Sequence, residues 1–189
     1  MRIALKEWAV VAEALGRGDQ ILILRKGGIR EGPQGFQMDY SEFFVFPTLF
    51  HQQRDLVLPL GQQRFDEISS HFPPADRVRI ELYAQVVSWR CIESLDAARR
   101  LEGQHIWRPS VIDERFDWGK SQGIFALACR VHRLPQSVEC PMRPEYGGCK
   151  SWTELAEDIP VALARPVLED SEFTSRLRRF EGALANVVA

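Results

Sequence analysis

Residues 78–89 read Val-Arg-Ile-Glu-Leu-Tyr-Ala-Gln-Val-Val-Ser-Trp, and their alternation sets the fold class. Val78, Ile80, Leu82, Ala84 and Val86 fall on one side of an extended chain; Arg79, Glu81, Tyr83 and Gln85 fall on the other. Successive strand side chains point to opposite faces, so this stretch is a strand with one dry face and one partly wet face. Gly123 to Leu134 is a second, mostly aliphatic strand. Ile21-Leu22-Ile23-Leu24 is continuously aliphatic, the pattern of a strand covered on both faces. Phe43-Phe44-Val45-Phe46 is a short aromatic strand ended by Pro47. In Glu7 to Leu15, Trp8, Val10, Ala12 and Ala14 alternate with Ala9, Val11, Glu13 and Leu15, which also reads as a strand. The turn Gly16-Arg17-Gly18-Asp19 then predicts a β-hairpin with Ile21–Leu24.

Helical segments fall between and after these strands. Thr48 to His71 is helical in part, with Pro59 and Gly61 expected to divide it and Pro73-Pro74 to close it. Ser94 suits the N-cap of a helix through Leu95, Ala98 and Leu101, stopped by Gly103. Pro135 to Gly148 reads as a loop, within a proline- and glycine-rich stretch 135–150. Ser171 is a candidate cap for a helix over 171–185. Phe173, Leu177, Phe180 and Leu184 form its apolar stripe, beside Arg176, Arg178 and Arg179. The order is not a regular βαβ alternation. It predicts an α+β fold: a mixed or antiparallel sheet, or a partly closed barrel, with flanking helices and a C-terminal amphipathic helix.

The chain's 189 residues fit one domain, 1–189, large enough to bury a core without disulfides or metal. Net charge is −2, so a basic field over the whole surface is absent, although a local basic face is compatible with it. No apolar run is long enough to span a bilayer. Met1-Arg2-Ile3-Ala4-Leu5-Lys6-Glu7 lacks the apolar core of a secretion signal, so the expected location is the cytoplasm. There the four cysteines stay reduced, with Cys91 and Cys129 expected to be buried.

Several spaced segments resemble the bacterial DUF1802 family. They are Leu5-Lys6-Glu7-Trp8-Ala9-Val10, Ile21 to Ile29 with Arg25-Lys26-Gly27-Gly28, and Phe46-Pro47-Thr48 with His51-Gln52. Arg115-Phe116 with Trp118, and Tyr146-Gly147-Gly148-Cys149-Lys150-Ser151-Trp152, complete the set. The resemblance covers most of the chain. It implies no established activity and no catalytic residue. It does imply an association with restriction–modification, because members occur joined to restriction-endonuclease-like domains.

Four candidate sites stand out. Arg25-Lys26-Gly27-Gly28, at the end of a strand, offers two cations and approachable backbone amides to an anion; the plainer reading is a charged turn. His51 and Gln52 follow Pro47-Thr48 at a strand–helix corner. His51 would sit near the positive end of a helix, where a neutral imidazole serves as general base or ligand, or simply orients the corner. Trp107-Arg108-Pro109 and Asp113 to Trp118 combine aromatic rings with Arg108 and Arg115, which suits bases and phosphates. The acids Asp113, Glu114 and Asp117 could instead hold a hard cation, or Phe116 and Trp118 could plug the core. Cys140 and Cys149 are too widely spaced for a zinc knuckle, so no metal is assigned, and no pattern specifies a cofactor.

Nuclease chemistry needs convergent carboxylates and usually a lysine, and no predicted strand carries Glu-x-Lys or Asp-x-Lys. Three readings remain. The first is an accessory domain binding nucleic acid, DNA above all, beside a nuclease-like partner. It expects Arg25, Lys26, Arg108 and Arg115 to share one basic groove. The second is a small-molecule or nucleotide-binding enzyme using His51, Gln52 and the Arg25-Lys26 turn. The third is an interaction module without chemistry.

Overall fold

The structure, a computed structural model, describes residues 1–26, 38–49, 52–119, 122–148 and 150–185. Chain order is β1 (Ile3–Trp8), α1 (Ala9–Gly16), β2 (Leu22–Arg25), β3 (Glu42–Thr48), α2 (Pro59–Ser69) and β4 (Arg77–Ile92). Then come α3 (Leu95–Arg99), α4 (Pro109–Asp117), β5 (Ile124–Pro141), β6 (Trp152–Glu154), β7 (Arg165–Pro166) and α5 (Asp170–Leu184). Short 3-10 turns lie at Arg54–Leu56 and Pro144–Tyr146.

The strands form one curled sheet in the order β2-β5-β4-β3-β1-β6, with β7 added to β5. β1 and β3 run parallel; the other pairs are antiparallel. The fold is therefore mixed α+β with a half-barrel sheet and a C-terminal helix, as the strand patterns predict. Side chains close the half-barrel. Arg25, at the end of β2, reaches across to Lys6 O and Glu7 on β1 and to Ser151 just before β6. One side chain thus ties together the two ends of the strand order.

Apolar residues pack on both faces. One face carries Leu5, Phe43, Val45, Leu82, Ala84 and the helices; the other carries Ala4, Phe44, Phe46, Ile80 and Tyr83. The expected face assignment of β4 fails at one point. Val78 and Ile80 belong to the second core, Leu82 and Ala84 to the first. The cause is an irregularity: Ile80 pairs with Val138 and Leu82 with Arg133, so Leu134 to Ser137 stand opposite Glu81 alone. Such a bulge re-aims the strand and reverses its facing.

Other expectations are corrected. The hairpin does not form: residues 9–16 are helix α1, and β2 pairs with β5. Helix α1 is buried on nearly all sides, so no helical period shows in its sequence. Pro59 begins α2 rather than breaking it, because the first helical position needs no N–H. Gly61 sits inside that helix, where a Cβ would come within 2.7 Å of the Val57 side chain. β5 continues to Pro141, so the loop expected from 135 begins later; Pro135 falls in the irregular stretch, where the ladder does not need its N–H. α5 starts at Asp170, and its cap is Glu169, not Ser171. Cys91 is exposed, on the outward positions of β4 with Val87 and Trp89, whereas Cys129 is buried. Cys140 is buried too, and Cys149 lies outside the described residues. Ser94 does cap α3, its hydroxyl accepting from the Ala97 amide.

Candidate functional site at the barrel mouth

Where Arg25 closes the half-barrel, several of the predicted residues meet. Glu7 is 3% exposed, and its carboxylate accepts from Arg25 at 3.3 Å and from the Trp8 amide at 2.8 Å. Charge-assisted bonds of this kind hold a carboxylate that burial alone would expel. Trp8 ends β1 and precedes α1, and its ring meets Trp107 edge-on at 4.8 Å. Arg115, from α4, lies 3.9 Å over the Trp107 ring and 5.8 Å from the Trp8 ring. Its Nη1 donates to Leu24 O at 3.4 Å, linking α4 to β2. Burial pulls the Arg115 guanidinium down to about 10, with Glu7 raising it and Arg25 lowering it further. It therefore stays charged at neutral pH.

Lys26 follows Arg25 and donates to Phe116 O at 2.7 Å and Gly123 O at 2.9 Å. Burial lowers its pKa, against the attraction of Asp117 and Cys91. Gln52 stands beside the start of α1. Its Oε1 accepts from the Val10 amide at 2.9 Å, satisfying one of the helix's open N–H groups. Its Nε2 is buried with no partner among the described residues. His105 is 6% exposed. Its Nδ1 accepts from the Trp107 amide at 3.2 Å, so its proton sits on Nε2, which is buried with no partner among the described residues. Burial and the Arg115 charge pull this imidazole down to about 4.

Of the residues singled out in the sequence, Arg25, Lys26, Trp107 and Arg115 come together here, with Gln52 adjoining. Arg108 does not join them: it lies exposed at the opposite end of α4, its Nε donating to Val57 O at 3.2 Å. Of the four cations expected to converge, three do so here. Trp118 caps the C-terminal end of α4 and is 51% exposed, while Phe116 is core. Gly27, Gly28 and His51 lie outside the described residues. The acids of α4 diverge: Asp113 pairs with Arg99 at 2.9 Å, and Asp117 accepts from Gln122. Among the described residues, no three His, Cys, Asp or Glu side chains gather as a metal site would require. No helix among them is long and apolar enough to cross a membrane.

Glu7, Trp8, His105 and Ser151 were not singled out as site residues. Glu7 offered the best signal, as a carboxylate directly before the apolar run Trp8 to Ala12. Trp8 and Ser151 lay inside segments that carried only the family resemblance.

These features define an α+β half-barrel whose ends are joined by an Arg–Glu pair, with Arg115 stacked on the buried Trp107 beside Trp8. The chain belongs to the DUF1802 family, a domain of unknown function, whose model matches residues 4–179. No curated protein matches the sequence. Among solved structures, the ASCH protein from Zymomonas mobilis is similar at 13% identity and a TM-score of 0.45, over 93% of this chain and 92% of that one. A point mutant of the same protein is similar at 12% identity and a TM-score of 0.46, over the same shares.

Proposed function

We propose that this protein is an accessory nucleic-acid-binding module of the cytoplasm, working beside a nuclease-like partner in restriction–modification, with the barrel mouth as its contact surface. The observation that carries the reading is the meeting of Arg25, Lys26 and Arg115 with Trp8 and Trp107, drawn from separate segments of the chain. Trp107 is 1% exposed and backs Arg115 rather than receiving a base; the half-buried Trp8 ring and the Arg25 and Lys26 cations are the groups that a single strand's bases and phosphates would meet. The formal charge of −2 makes the contact local, with few phosphates engaged. The restriction–modification setting rests on the family resemblance alone.

Fluorescence anisotropy with labelled single- and double-stranded DNA and RNA, over a salt series, tests this. Binding to single strands should weaken with salt, at a log–log slope of about −2, as two or three phosphate contacts give. Lys26→Gln should flatten that slope by about 0.7. A chain that binds no oligonucleotide at low salt overturns the reading. Gln52 favours one second reading, a small-molecule or nucleotide-binding enzyme at the same mouth that also uses His51. Its amide nitrogen, buried with no partner among the described residues, is a donor that a ligand could satisfy.

A further inference from the structure

A concavity lined by none of Arg25, Lys26, Trp8, Trp107 and Arg115 takes no part in that reading. It is a cleft of about 380 Å³ between α1, the end of α2 and strands β3, β4 and β5. That volume falls in the range of roughly 300–1,000 Å³ typical of small-molecule sites. Ala9, Ala12, Glu13 and Gly16 of α1 line it. These positions recur at helical spacing on one face, and three of the four are small, which makes the room. Val45, Leu82, Ile68 and Phe72 give the cleft an apolar floor.

Its polar groups are not equally committed. Arg17 is taken by Glu13 and Glu67, and Arg79 is held by Glu139 at 3.0 Å. Arg133 and Glu81 are looser. Their closest approach is 3.5 Å, beyond hydrogen-bonding range, with the two side chains 48% and 40% exposed. Arg133 also donates from Nη2 to Gly16 O at 2.7 Å, which fixes its guanidinium over the cleft. The bulge at Glu81 puts Glu81 and Leu82, neighbours in sequence, into the same lining. A lone carboxylate ligand would meet repulsion from Glu81, and a lone amine would meet it from Arg133. A ligand carrying both charges on groups bonded to one carbon satisfies both.

We infer that this cleft binds a free α-amino acid with a bulky apolar side chain. The α-carboxylate pairs with Arg133, the α-ammonium pairs with Glu81, and the side chain lies on Leu82, Val45, Ala12 and Phe72. The head group replaces a loose, solvent-screened pair with two close ones, and the apolar body removes the floor from water.

Isothermal titration of the full chain with L-phenylalanine and L-leucine tests the assignment, alongside N-acetyl-L-phenylalanine and L-phenylalaninamide. The free amino acids should bind, and each blocked form should lose at least tenfold in affinity. Arg133→Gln, a surface change, should cost a similar factor. Ala12→Leu should abolish binding by filling the floor, with its thermal midpoint read alongside. Absence of binding at millimolar concentration overturns the inference. So do equal affinity for a blocked form and undiminished binding by Arg133→Gln. None of these outcomes bears on oligonucleotide binding at the mouth, so the two proposals stand or fall apart.

Discussion

Arg115 shows what a single residue does here. Its planar guanidinium covers the Trp107 ring at 3.9 Å, a geometry that an ammonium on a flexible stem does not reproduce. Arg115→Lys keeps the charge and loses the stacking, so it should cost about 1–2 kcal/mol in urea unfolding and shift the tryptophan emission. His105 supplies a pH dependence. Its folded-state pKa, about 4, lies below the ordinary 6.5, so folding favours the neutral ring. That contribution is complete above pH 6.5 and is lost as pH falls toward 4, by something on the order of 3 kcal/mol. Urea midpoints measured at pH 7 and pH 4.5 should therefore diverge in the natural protein and converge in His105→Gln. Residue identity made Arg25, Lys26 and Arg115 legible as candidates from the sequence. It did not make Glu7 or Ser151 legible, because their meeting with Arg25 depends on closure between segments 126 positions apart in the case of Ser151.

At the scale of elements, legibility followed periodicity. β4, β5 and α5 have clear periods or long apolar runs, and all three formed. α1 has none, since both its faces are covered, and so it read as a strand. β2 paired with β5 rather than with its neighbour in sequence, because the chain between β1 and β2 folds as a helix that packs on the sheet. The bulge at Glu81 left no trace in an otherwise regular alternation, yet it decides which residues line the α1 cleft. Two substitutions probe these local devices. Ser94→Ala removes the hydroxyl that accepts from Ala97 N and should cost about 1 kcal/mol of stability. Gly61→Ala sets two effects against each other. The helical propensity gain is about 1 kcal/mol, but the new methyl would sit 2.7 Å from the Val57 Cβ, and overpacking of this kind costs roughly 1–3 kcal/mol. The clash should win, and thermal denaturation should show a lowered midpoint.

At the scale of the whole molecule, the half-barrel depends on a buried ion pair that joins its ends. Arg25 and Glu7 are 19% and 4% exposed in their side chains, at 3.3 Å. Desolvating two charges is expensive, and their attraction only offsets that cost, so the pair as a whole adds little to stability. Removing one partner is a different matter. Arg25→Met leaves the buried Glu7 without its ion-pair partner, with only the field of Arg115 to offset its charge, and takes away the bonds to Lys6 O and Ser151. The expected loss is about 3–5 kcal/mol. Adding Glu7→Leu to that variant removes the stranded carboxylate and should recover part of the loss, the remainder reflecting Arg115, which loses the Glu7 charge. A double-mutant cycle by urea unfolding measures this directly. If the two single changes simply add, the closure of the half-barrel does not rest on this pair, and the strand ends are held by packing alone.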